Sequence, residues 1–134
     1  MTEISVSLRF INFSCLVSKI SEAMQMKPKN YWHKGEQRIN PKGVLLDGLH
    51  ETSYWVTPLM RNSPRTIKEV LDELLSILEP KMDALKSLKD LNTKISLYIT
   101  AGSDPTVALE LSSERLERFS KLGIDLDFEI FTKL

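Results

Sequence analysis

Cysteine is nearly absent from this chain of 134 residues, in which Cys15 stands alone. A single thiol can neither close an intrachain disulfide nor build a thiolate-rich zinc site, so packing must hold the fold. Cys15 itself reads as a small apolar residue rather than a nucleophile. Glycine is scarce too, and Gly35, Gly43, Gly48, Gly102 and Gly123 are too scattered to form a phosphate-cradling loop. His33 and His50 are the only histidines and lack ligand spacing to one another. Charge of one sign is missing as well: 18 basic residues balance 18 acidic ones. Without a one-signed field, nucleic acid and membrane surfaces are disfavoured as partners. No apolar run approaches the roughly 20 residues that a bilayer-spanning helix needs. Met1 to Ile4 alternates polar and apolar residues instead of opening like a signal peptide, so the expectation is a cytoplasmic protein.

What remains is ordinary globular material, 42% hydrophobic and 27% charged, and enough to bury a real core. The sequence predicts one α+β domain over residues 1–134. Ile4, Val6, Leu8 and Phe10 alternate with polar residues as in a half-buried strand. A short helix follows, with Ser14 as its expected N-cap, Val17, Ile20 and Met24 on one face, and Pro28 as its stop. Residues 27–52 are rich in turn signals with short strands between them. Tyr54 to Leu59 reads as another strand. Thr66 and Glu69 fit a capping box opening a leucine-rich helix, which Pro80 must break or kink near Glu79. Its Leu71, Leu74, Leu75 and Leu78 suit a core stripe or a dimer seam, so monomer and homodimer both stay open. The pattern resuming after Pro80 reads as an extension that can project.

Alternation then predicts strands at Ile95–Ile99 and Val107–Leu111. A helix capped by Ser112 or Ser113 carries Leu116, Phe119 and Leu122, ends at Gly123, and leads into a closing strand from Ile124 to Ile130. The first six elements match a ferredoxin-like split βαβ core, with a β-α-β tail added. The expected architecture is one antiparallel-rich sheet with helices on one face.

Several ordered features carry a resemblance: Met26-Lys27-Pro28 before Lys34-Gly35-Glu36, Ser53-Tyr54-Trp55-Val56, the helix from Thr66, and Leu122-Gly123-Ile124-Asp125-Leu126-Asp127. Together they resemble the bacterial domain-of-unknown-function family 4279 over almost the whole chain. The resemblance implies a bacterial cytoplasmic α+β protein and transfers no catalytic residue. Small proteins of this kind include immunity proteins that neutralise a paired toxin. The chain departs from the family pattern at the first helix, where Ser14-Cys15 replaces an acidic start.

Two surfaces bear chemistry. Asp125, Asp127 and Glu129 share one face of the closing strand, neighbours being roughly 7 Å apart. Carboxylates along one strand do not converge as metal ligands must, so the stripe suits a basic protein partner or a solvated face neutralised by Arg9. The second surface is basic and aromatic: Lys27, Lys29, Lys34, Arg38 and Lys42 flank Tyr31, Trp32 and His33. It can meet an anion or nucleic acid, or be a solvated loop anchored on the core by Trp32. A third reading is an unfamiliar enzymatic pocket lined by Trp32, His33, His50 and Trp55. No motif calls for a metal or other cofactor, and the leading expectation is a non-catalytic protein that binds a toxin or another protein partner.

Overall fold

The computed structural model describes residues 3–103 and 108–132. Strand β1 (Glu3–Ile11) forms as its alternation predicts, burying Ile4, Val6, Leu8 and Phe10 and turning Ser5, Ser7 and Arg9 to the other face. Helix α1 (Val17–Met24), strand β2 (Asn30–Trp32), a hairpin of β3 (Gln37–Ile39) and β4 (Leu45–Leu49), and strand β5 (Tyr54–Ser63) follow. Helix α2 (Ile67–Leu78) passes through a 3-10 turn at Glu79–Lys81 into α3 (Met82–Leu88), which is the break that Pro80 demands. Strand β6 (Lys94–Ser103), helix α4 (Ser113–Lys121) and strand β7 (Asp125–Thr132) complete the chain order.

The main sheet runs β2-β5-β1-β6-β7, and β3-β4 forms a separate two-stranded sheet. β1 is antiparallel to β5 and β5 to β2, so β1 and β2 are parallel with β5 between them. That is the split βαβ arrangement, and β6 closes it antiparallel to β1. β7 adds in parallel to β6 through α4. The fold is α+β, as the sequence predicts, with a mixed rather than wholly antiparallel sheet.

The core lies between one sheet face and the helices. Phe10, Trp55, Ile95, Leu97 and Ile99 meet Ile20, Met24, Val70, Leu71, Leu74, Leu75 and Leu78 there. The leucine stripe of α2 is therefore consumed inside the molecule. The segment after Pro80 does not project: α3 packs on α1 and buries Leu85 and Leu88. Thr66 and Glu69 form the expected capping box, satisfying amides that the first turn of α2 leaves free.

Four local expectations are corrected. The strand at 107–111 does not form over residues 108–112, where Leu109 and Leu111 pack on the core from irregular backbone, and Val107 lies outside the described residues. The β-α-β tail is thus β6-α4-β7. Ser14 does not cap α1. Its hydroxyl donates to Asp90, the helix starts two residues later, and Leu16 at the N-cap offers no side-chain bond. Nor does α1 wait for Pro28: Gln25 takes a left-handed conformation, φ 55°, and its amide closes the last turn. Leu116, expected on the buried stripe of α4, is 41% exposed, while Phe119 and Leu122 are buried.

Candidate functional site

Register alone decides which side chains reach the sheet face that no helix covers. Asp125, Asp127 and Glu129 pair with Ser96, Tyr98 and Thr100 of β6, and Arg9 lies opposite Ser96 on β1. The Arg9 guanidinium reaches across β6, donating from Nε to Ser96 (3.2 Å) and from Nη2 to Asp127 (2.9 Å), and it sits 4.6 Å over the Tyr98 ring. Lys94 adds a second cation 3.0 Å from Asp127. Partial burial works against the Asp127 carboxylate, but hydrogen bonds from Lys94 and Ser96 with the charges of Lys94 and Arg9 win, holding its pKa below the usual aspartate value. The Tyr98 hydroxyl donates to Glu129. The acidic stripe is therefore half neutralised by its own sheet, with Arg9 in the role the sequence suggests.

The basic, aromatic segment becomes something different at the opposite edge. Trp32 does not anchor on the core. It lies on the open sheet face, stacked between His50 (centroids 4.1 Å) and Tyr54 (4.6 Å), and its Nε1 donates to the Thr52 carbonyl at 2.9 Å. His33 turns the other way. Its Nε2 accepts from the Val17 amide at 3.2 Å, so Nδ1 carries the proton that bonds Glu36 at 2.8 Å. His33 thus caps α1 from outside the helix, which explains how α1 starts without a local cap. That hydrogen bond, with the nearby imidazoles, lowers the Glu36 pKa despite the small cost of burial. The hairpin root is tied as well: the amides of Gly35 and His50 donate to the carbonyls of His50 and Glu36. The left-handed φ of 88° at Gly35 fits that tight turn.

Beyond this root the hairpin stands clear of the core, and none of its residues belongs to the core cluster. Ile39, Val44, Leu45 and Leu49 are each more than half exposed, as is Tyr31 on β2. Ile39 and Leu45 are cross-strand partners and so share one face. Lys34, Arg38 and Lys42 are exposed, while Lys27 and Lys29 use their backbone to tie down β5. The residues grouped as an anion contact therefore do not form one cluster: Trp32 and His33 are structural, and Arg38 bonds the Asp47 carbonyl within the hairpin. Sequence reading missed the exposed aliphatics. The available signal was the run Val44-Leu45-Leu46 between two turn motifs, too short to be an independent core strand.

Two clefts flank this edge and meet at Tyr31. One, of about 550 Å³, lies between α1 and β2, and the other, of about 390 Å³, between β2 and the hairpin. The pocket expected from Trp32, His33, His50 and Trp55 does not assemble. Trp32 and His50 line the second cleft, His33 lines the first, and Trp55 is fully buried on the far sheet face, edge-on to Phe10. Cys15 is half-buried against the core, and Trp55 Nε1 donates to Ser21. Among the described residues no helix is long and apolar enough to cross a membrane.

Residues 2–133 match the family model described as Domain of unknown function (DUF4279). The chain belongs to that family. No curated protein matches it. Within this DUF4279 chain the exposed hairpin holds aliphatic side chains outside the core cluster.

Proposed function

We propose that this DUF4279 protein is a non-catalytic, bacterial protein-binding domain of the immunity type, engaging its partner through the β3–β4 hairpin. The observation that carries the reading is the exposure of Ile39, Val44, Leu45 and Leu49 on an element that contributes nothing to the core. A rooted hairpin that holds four aliphatic side chains in water has no folding rationale, and contiguous exposed apolar patches of this sort mark interaction sites. Burying each of them on a partner is worth about 1.5–3 kcal/mol. Exposed Lys34 and Lys42, in the same segment, favour an acidic partner and speed encounter. The hairpin supports this role better than the acidic stripe does, because Asp127 and Glu129 already have partners within the sheet.

The test is co-purification with the product of an adjacent toxin-like gene. A double change, Ile39→Asp with Leu45→Asp, should weaken binding by about a hundredfold with little change in melting temperature, as loss of a central apolar anchor does. Replacing Asp125, Asp127 and Glu129 by Asn, Asn and Gln should cost roughly fivefold or less, as rim charges do. Absence of binding, or the reverse ranking of the two variants, sinks the proposal.

A further inference from the structure

Helix α4 is held in place differently from α2. Of its nine residues only Phe119 is buried, whereas α2 buries six of twelve. Leu116 is 41% exposed and lines a cleft of about 500 Å³ together with Leu126 and Phe128 of β7, so α4 closes only loosely over that strand. What clamps the helix to α2 is charge. Arg115 forks onto Asp72, donating from Nε at 2.7 Å and from Nη2 at 3.0 Å. Arg118, one turn on, forks in the same way onto both oxygens of Glu79, just past the end of α2. Neither end of α4 runs on into regular structure. Residues 108–112 before it are irregular, and Gly123 after it takes a left-handed φ of 72°.

We propose that α4 is a charge-latched lid, which lifts from α2 as one unit about Gly123 when its two arginine forks are screened by salt or discharged by acid. The lid goes beyond the hairpin reading and does not depend on it, since the hairpin belongs to the separate β3–β4 sheet. Salt weakens ion pairs near the surface and leaves apolar burial intact, so it should act on α4 while α2 stays packed. Acid works on the same contacts. Hydrogen bonds from Arg115 and Arg118 hold Asp72 and Glu79 below their ordinary pKa values, against the cost of burial. Lys68 and Arg118 add their charge at Asp72, and Glu114 of α4 adds its own beside both arginines. Carboxylates held low contribute above their unfolded values and lose that contribution as pH falls through the lowered ones. Lys121 pairs with Glu117 inside α4 and leaves the latch alone. β7 does not follow the lid, because its ladder to β6 and the Arg9 and Lys94 pairs to Asp127 hold it independently. Opening therefore bares Phe119 and the apolar wall of the cleft, a surface that the molecule shows only with the latch off.

Hydrogen exchange of the full chain, followed by mass spectrometry and corrected for intrinsic rates, reads this out. At neutral pH, raising salt to about 1 M should speed exchange across residues 116–121 about tenfold. Residues 70–78 of α2 and the β6–β7 ladder should keep their protection, because they open only with the whole molecule. Asp72→Asn with Glu79→Gln keeps the shape of the latch and removes its charge. That variant should exchange through α4 about tenfold faster than the parent in low salt, and added salt should change it little. Below about pH 4 the parent should approach the variant. Should the double variant fail to fold, the salt response of the parent decides alone. Exchange of α4 and α2 in step at every salt concentration overturns the lid, and so does α4 exchange indifferent to salt.

Discussion

The two edges of the sheet are built by opposite means. β7 is long, runs from Asp125 to Thr132, and faces outward with three carboxylates on one side and Ile130 and Phe131 at its end. β2 has three residues and is backed by the Trp32–His50–Tyr54 stack and the hairpin root. A long unpaired strand invites a second copy, and antiparallel pairing of β7 with itself about Asp127 sets Asp125 opposite Glu129 twice. Like charges directly opposite destabilise such a pair, so the acidic stripe reads as a guard on a vulnerable edge. The β2 edge is guarded differently: it is three residues long, Asn30 Oδ1 accepts from the Tyr31 amide at 3.0 Å, and Glu36 accepts from the His33 amide at 3.1 Å. Like charges protect the long edge, whereas shortness and its own side chains protect the short one and leave the hairpin aliphatics as the exposed apolar surface on that side.

The largest effect that separates the edges concerns what each rests on. Trp55 of β5, the register partner of Tyr31, is fully buried, packs edge-on to Phe10 and has one hydrogen bond, to Ser21. Trp55→Ala should therefore cost about 3–5 kcal/mol in chemical denaturation, nearly independent of salt. A loss under 1 kcal/mol would show that the β2 side is not packed as described. Next comes the guard itself. Asp125→Val with Glu129→Val replaces two repulsive cross-strand pairs by two attractive ones, worth about 2 kcal/mol, or roughly thirtyfold in the self-association constant. Sedimentation velocity should show the variant associating at concentrations where the parent does not; identical behaviour would end the guard reading.

Third is the ionic brace of the β7 side. Arg9→Met should cost about 1 kcal/mol at neutral pH, less in high salt. Because Asp127 is held below its ordinary pKa, its contribution is present above the unfolded aspartate value and is lost as pH falls through the lower folded value. The parent should therefore lose stability on acidification below about pH 4, and Arg9→Met should lose less of it; parallel pH profiles would contradict this. The smallest effect belongs to the cap on α1. His33→Ala frees the Val17 amide, which should cost about 0.5–1 kcal/mol and speed hydrogen exchange at Val17. An unchanged exchange rate would deny His33 that role.

How far the sequence foretold this arrangement depended on whether the signal was local. Alternation in β1, β6 and β7 marked the faces correctly, the Thr66–Glu69 box and Pro80 fixed both ends of α2, and Arg9 was matched to the acidic strand. Signals of that kind lie within a few residues. The cap of α1 comes from a histidine sixteen residues away, so Ser14 looked like the better candidate. Leu109 and Leu111 alternate as a strand does, yet neither sheet edge takes them up, because β7 occupies the place beside β6. Val44 and Leu45 did not stand out between two turn motifs, because apolarity in a sequence records only that burial is favoured, not whether this chain or another supplies it. The basic composition around Trp32 likewise suggested an anion contact, until the stack and the cap accounted for Trp32 and His33.

Site-specific photo-crosslinking from both edges in the cells of origin tests the contrast most directly. Benzoylphenylalanine in place of Leu45 should form a discrete adduct with another protein, and the same probe in place of Phe131 should form none. An adduct from position 131 alone, or equal adducts from both positions, would contradict the account.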